Sequence, residues 1–109
     1  MLVPIHNPSM DQVVISKNGV PIRLTDERWA HISEEHFELV GLRAGILSAI
    51  AQPRYIYAGN NGEHLAVRQL KTRLWLVAVY REMPHDGFVI TAFVTSKFRA
   101  LKKRPQLWP

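Results

Sequence analysis

At Pro53 the hydrophobic pattern of this chain changes period. Before it, apolar residues recur every three to four positions; after it they alternate. Helical spacing first and strand spacing afterwards, in a chain too short for a second core, restrict the layout sharply. The expectation is an α+β domain whose helices pack on a sheet instead of alternating with its strands.

The first helical stretch, "TDERWAHISEEH", is predicted over Thr25–His36. Thr25 is placed as an N-cap, Asp26 and Glu27 stand in the first turn where the helix dipole favours carboxylates, and Leu24 and Trp29 occupy the positions of a hydrophobic staple. Trp29, Ile32 and His36 mark one side; His31, with Arg28 and Glu35, falls on another. A second helix is predicted from Leu39 to Ala51, with Leu39, Leu42, Ile46, Ala49 and Ile50 at helical spacing and Pro53 as its stop.

Ahead of these, "VVISKNGVPIRL" reads as a hairpin, with Asn18 and Gly19 supplying positive backbone angles. Beyond Pro53, "RYIYA" is a strand and "GNNG" its turn. "EHLAVRQL" alternates, with Leu65 and Val67 on one face and His64, Ala66 and Arg68 on the other. "LWLVAVYR" is apolar on both faces and therefore central, and "FVITAFVT" closes the set. The predicted fold is two N-terminal helices packed on a four-stranded antiparallel sheet, preceded by a short β-hairpin. Residues 12–109 are read as one domain. Residues 1–11, with two prolines and little periodicity, are read as loosely ordered.

The formal net charge of +5 favours polyanionic partners: nucleic acid, an acidic protein or an anionic membrane. The charges are clustered. Thr25–Glu38 is acid-rich, whereas "KFRALKKR" at Lys97–Arg104 is basic. The absence of cysteine excludes disulfides and thiol nucleophiles and is compatible with cytoplasmic residence. "MLVPIHNPSM" lacks a basic leader followed by an apolar stretch, so no signal peptide is expected, and no segment has the length of a membrane-spanning helix.

Three segments taken together, "LTDERWAHISEEHFEL", "AQPRYIY" and "LWLVAVYR" with "GFVITAFVT", resemble a known group. They look like the phage-associated members of the barnase/EndoU/colicin/RelE-like nuclease superfamily and small RelE-like domains of unknown function. The resemblance covers roughly Leu24–Thr95. It implies helices on a four-stranded antiparallel sheet, metal-independent RNA cleavage, and an acidic antitoxin or immunity protein as neutralising partner. The chain departs from the group at Phe37, where proline commonly follows the second histidine.

Metal-free cleavage needs a base for the 2′-OH, an acid for the departing 5′ oxygen, and cations for the charge on phosphorus. His31, on a polar helix side and within the resembling motif, is the first candidate for proton transfer; a solvated surface histidine is the alternative. His36 either closes the helix from the core side or faces the site from the helix end. Arg68 and Arg81 are candidate phosphate clamps. Thr95, which shares a strand face with Thr91 and Phe93, is raised by the resemblance as a phosphate-binding hydroxyl. Lys71 and Arg73 in a hairpin turn, and Lys97, Arg99, Lys102, Lys103 and Arg104 in the tail, are candidates for general contact with a nucleic acid backbone. Neither a metal site nor a cofactor is expected: His31 and His36 are one residue too far apart for an H-x-x-E-H motif, and five residues turn a helix well past one revolution. Two functions follow. One is a small endoribonuclease of toxin or phage-effector type, cleaving RNA by 2′-OH attack. The other is a non-catalytic module on the same fold that binds nucleic acid or protein.

Overall fold

A computed structural model describes residues 11–109. The hairpin β1 (Gln12–Ile15) and β2 (Pro21–Leu24) leads into α1 (Asp26–Glu35), a 3₁₀ turn (Phe37–Leu39) and α2 (Arg43–Ala51). Then come β3 (Tyr55–Ala58), β4 (His64–Lys71), β5 (Leu74–Glu82), β6 (Gly87–Thr95), a short α3 (Phe98–Lys102) and β7 (Gln106–Trp108). All seven strands join one sheet in the order β1-β2-β6-β5-β4-β3-β7. Every neighbouring pair is antiparallel except β2 and β6, which run parallel.

This overturns the expected two helices on a four-stranded antiparallel sheet. The four strands after Pro53 occupy the middle of a larger, mixed sheet. The N-terminal hairpin is not a separate preface: β2 pairs with β6 at Ile22–Gly87 and Arg23–Phe88. Gly87 makes that approach feasible. A Cβ there would collide with the Arg81 carbonyl oxygen and lie 2.6 Å from Ile22 Cδ1. At the other edge, the basic tail folds back as α3 and then pairs β7 with β3. The expected loose segment falls, but for Asp11, outside the described residues.

Local chemistry explains most element boundaries. Thr25 Oγ1 accepts the Arg28 backbone N–H at 3.0 Å, capping α1. Gly41, at φ +84°, interrupts what reads as a continuous helix from Leu39, so α2 begins only at Arg43. In the first hairpin only Gly19 takes a positive φ, and its N–H bonds Ser16 O at 2.9 Å. That is a four-residue turn closed by glycine, not a two-residue turn with two positive angles. The turn is fastened to the sheet by Glu82, whose carboxylate accepts from Ser16 Oγ and from Asn18 Nδ2.

Strand parity gives the sheet two apolar faces. On one, Leu76, Ala78 and Tyr80 of the central strand meet Ile32, Leu39, Ile46 and Ile50 from the helices. On the other, Val77 and Val79 join Tyr57, Leu65, Val67 and Leu101. Each fully buried aliphatic side chain contributes about 1.5–3 kcal/mol. The second face is covered in part by α3, where the Phe98 ring stacks on Trp75 with centroids 4.2 Å apart. The basic segment Lys97–Arg104 is therefore amphipathic, with Phe98 and Leu101 turned inward. Among the described residues, no helix is long and apolar enough to cross a membrane.

Candidate nucleic-acid interface

The last turn of β6 and the start of α3 are tied by one side chain. Thr95 Oγ1 accepts the Lys97 backbone N–H at 3.0 Å, so the threonine closes the bend that turns the chain back over the sheet. This fold-back leaves an open cavity of about 230 Å³ lined by Leu65, Phe93, Thr95, Lys97, Ala100, Leu101 and Arg104. Its floor is apolar. Its polar rim carries a hydroxyl and two cations, and no carboxylate lines it. Arg104 is held in place by Asn60 Oδ1 at 2.8 Å and the Ala58 carbonyl at 3.3 Å. The outer side of α3 adds Arg99, Lys102 and Lys103 around a second, shallow depression that again includes Lys97.

The cationic tail residues and Thr95, named separately from the sequence, thus meet around one short helix. Lys71 and Arg73 are exposed in the β4–β5 hairpin. Strand register places that hairpin at the same end of the sheet, since Trp75 pairs with Gln69 on one side and Thr95 on the other.

His36 is the histidine nearest to this cavity by its contacts. Its N–H ends α1 on Ile32 O at 2.8 Å, and its ring centroid lies 6.4 Å from that of Phe93, a cavity-lining residue. Nδ1 faces Glu38 Oε1 at 3.3 Å, which leaves Nε2 as the nitrogen free for other chemistry. Neither Glu38 nor Phe93 was singled out by sequence. The alternation of "FVITAFVT" places Phe93 on the Thr95 face, but only the tertiary path of α1 brings His36 to it.

The other candidates lie elsewhere. His31 is exposed beside Thr25, Glu27 and Arg28, lining a separate cavity of about 410 Å³ on α1. Arg68 points to the helix side of the sheet, where its guanidinium reaches the Gln52 carbonyl at 3.4 Å beside Pro53 and Arg54. Arg81 shares the Thr95 face but sits six residues further along β5, about 20 Å away at strand rise. It donates to Asn61 O at 3.1 Å and lies 4.0 Å from the Glu63 carboxylate. His31, Arg68, Arg81 and Thr95 therefore occupy four separate settings, and no shared anion pocket joins them.

Two tyrosines have displaced ionisation. Burial pushes the Tyr57 phenol up, with neighbouring Tyr55 adding to the effect. Burial pushes Tyr80 up further, and the Glu82 charge adds to it. Both remain protonated near neutral pH, and Tyr80 lies on the helix side, stacked against His64 at 5.1 Å. Among the described residues, no group of three or more His, Asp or Glu could hold a metal ion. Compared with family models, curated proteins and solved structures, the chain matches none.

Proposed function

We propose that this chain is a nucleic-acid-binding module that holds single-stranded RNA along α3 and the adjoining end of β6. The observation that carries this reading is the grouping of Thr95, Lys97 and Arg104 around a cavity walled by Phe93, with no carboxylate in its lining. Phosphate oxygens are met by ammonium, guanidinium and hydroxyl donors, and a ring face receives a base without regard to its identity. Arg99, Lys102 and Lys103 extend the positive potential along the strand's path. The choice of RNA rests on the resemblance to ribonucleases, and cytoplasmic residence belongs to the same reading.

Fluorescence anisotropy with a labelled RNA oligomer tests it. Each phosphate neutralised on a single strand contributes a slope of about −0.7 in log K against log salt, so engagement of all five cations gives about −3.5. Lys97→Ala and Arg104→Ala should each weaken binding and each remove about 0.7 from the slope. Undetectable binding, or affinity indifferent to salt, refutes the module.

A second reading is favoured by His36. Its Nδ1 faces Glu38, and its ring adjoins the cavity wall. In this reading His36 Nε2 takes the 2′-OH proton, the 2′ oxygen bonds phosphorus as the bond to the 5′ oxygen breaks, and that oxygen leaves with a proton from water; the chain is then a metal-independent endoribonuclease, with an acidic antitoxin competing for the same cations. Cleavage products ending in 2′,3′-cyclic phosphate, lost in His36→Ala while binding persists, would establish it. An RNA that stays intact under stoichiometric protein leaves the binding module alone.

A further inference from the structure

The uncovered half of the Thr95 face carries a row of side chains that the α3 cavity does not use. Strand register places Arg23 beside Phe88 across the β2–β6 pair, and Phe88 beside Arg81 across the β5–β6 pair. Directly paired residues project from the same face of a sheet. Ile22, Tyr80 and Val89 point into the helix-side core, so Arg23, Arg81 and Phe88 point the opposite way. Phe88 is 42% exposed. Arg23 is exposed, and its guanidinium makes no hydrogen bond or ion pair among the described residues.

We propose that Arg23, Phe88 and Arg81 form a second contact site for the same nucleic acid strand, with a base stacked on Phe88 and a phosphate on Arg23. This rests on the RNA-binding reading above. Two observations favour a nucleic acid here. The first is continuity: the bulge in β6 leaves Phe88 and Phe93 on one face, and their β5 partners Arg81 and Val77 are four residues apart, about 13 Å at strand rise. That distance equals about four stacked bases at 3.4 Å each, and fewer nucleotides if the strand is extended. The second is charge: an exposed ring flanked by two guanidinium side chains suits an anionic, planar ligand. Glu63 tempers one of them, since its carboxylate lies 4.0 Å from the Arg81 guanidinium. Arg23 is accordingly the phosphate contact, and Arg81 becomes one where Glu63→Gln removes the facing carboxylate.

The test compares RNA oligomers of about two and about twelve nucleotides, because only the longer reaches both sites. Phe88→Ala should weaken the longer oligomer about tenfold and leave the shorter unchanged, as expected for one lost stacking contact. Phe88→Trp should retain the affinity, Phe88→Leu should lose it, and Glu63→Gln should strengthen it. Circular dichroism melts of each variant check that the fold is kept.

If the wild type binds neither oligomer, the RNA reading and this site fall together. If it binds both and Phe88→Ala changes neither, or changes both equally, the second site alone is overturned. Full retention by Phe88→Leu also overturns stacking. Binding of a poly-glutamate peptide as tight as that of the longer RNA, with the same dependence on Phe88, reassigns the surface to an acidic protein partner.

Discussion

Replacing Tyr80 by phenylalanine should stabilise the protein. The side chain is 0% exposed, and its hydroxyl has no hydrogen-bond partner among the described residues. A buried polar group without a partner costs about 1–3 kcal/mol relative to its solvated state. Phenylalanine keeps the ring, its stacking on His64 and nearly all of its volume, so the expected gain is about 1–2 kcal/mol near neutral pH. With a urea m-value of about 1–1.5 kcal/mol/M for a chain of this size, the midpoint should rise by about 1 M. Alkaline pH enlarges the difference. The folded pKa of Tyr80 is raised, so its unfolded form ionises first, from about pH 10. Above that pH the unfolded state binds fewer protons, and wild-type stability falls by about 1.4 kcal/mol per pH unit through Tyr80. The variant lacks this share of the slope and retains that from Tyr57, whose pKa is raised in the same direction. Urea titrations at neutral pH and above pH 10 measure both quantities. A loss of stability above about 1 kcal/mol in the variant would show that the hydroxyl is bonded and refute the reasoning.

Three further outcomes follow from the same contacts. Gly87→Ala drives a methyl into the Arg81 carbonyl and Ile22 Cδ1; it should cost about 2–3 kcal/mol and loosen the hairpin, read as lost amide-exchange protection in β2, and unaltered protection would contradict the close approach. Thr25→Ala removes the α1 cap and should cost about 1 kcal/mol by chemical denaturation, with Thr25→Ser recovering most of it. Phe98→Ala should release α3 from the sheet, shift Trp75 emission to the red and weaken RNA binding in parallel; unchanged emission with lost binding would show that α3 is held by other contacts.

Periodicity carried much of the local structure. Alternation over β4, the unbroken apolar run of β5 and the Thr25 cap depend on neighbours within a few residues, and such signals are legible in a sequence. What failed was long-range. Nothing in "PIRL" announces a parallel partner more than sixty residues away, and nothing marks Gly87 as its point of approach until β2 is seen packed against it. In "KFRALKKR" the charge dominates. Phe98 and Leu101, three positions apart, also fit an inward helical stripe, but in five residues that pattern is too short to separate from chance. The candidate site divides in the same way. Alternation separates Arg68 from Leu65 within β4, but only the β4–β5 and β5–β6 registers show that Thr95 lies with Leu65 and opposite Arg68. Distance along β5, which parts Arg81 from Thr95, likewise requires the register.

The two sheet faces place different demands on the same chemistry. On the helix side, polar groups are enclosed: Glu82 holds the first turn through Ser16 and Asn18, and His64 lies against Tyr80 with 18% of its side chain exposed. Such groups specify how the hairpin docks. On the opposite face, α3 covers only part of the sheet, and its cations stay at the rim because Phe98 and Leu101 bury its other side. In the proposed RNA-binding module, contact with a strand is therefore coupled to the seating of α3. If the helix detaches, Lys97 and Arg104 lose their common geometry although no charge is removed. A strand bound across Phe93 and the α3 cations would in turn hold the helix down, since a ligand that binds only the seated form stabilises it. The melting temperature should then rise with RNA concentration, and Phe98→Ala should abolish that rise along with the binding.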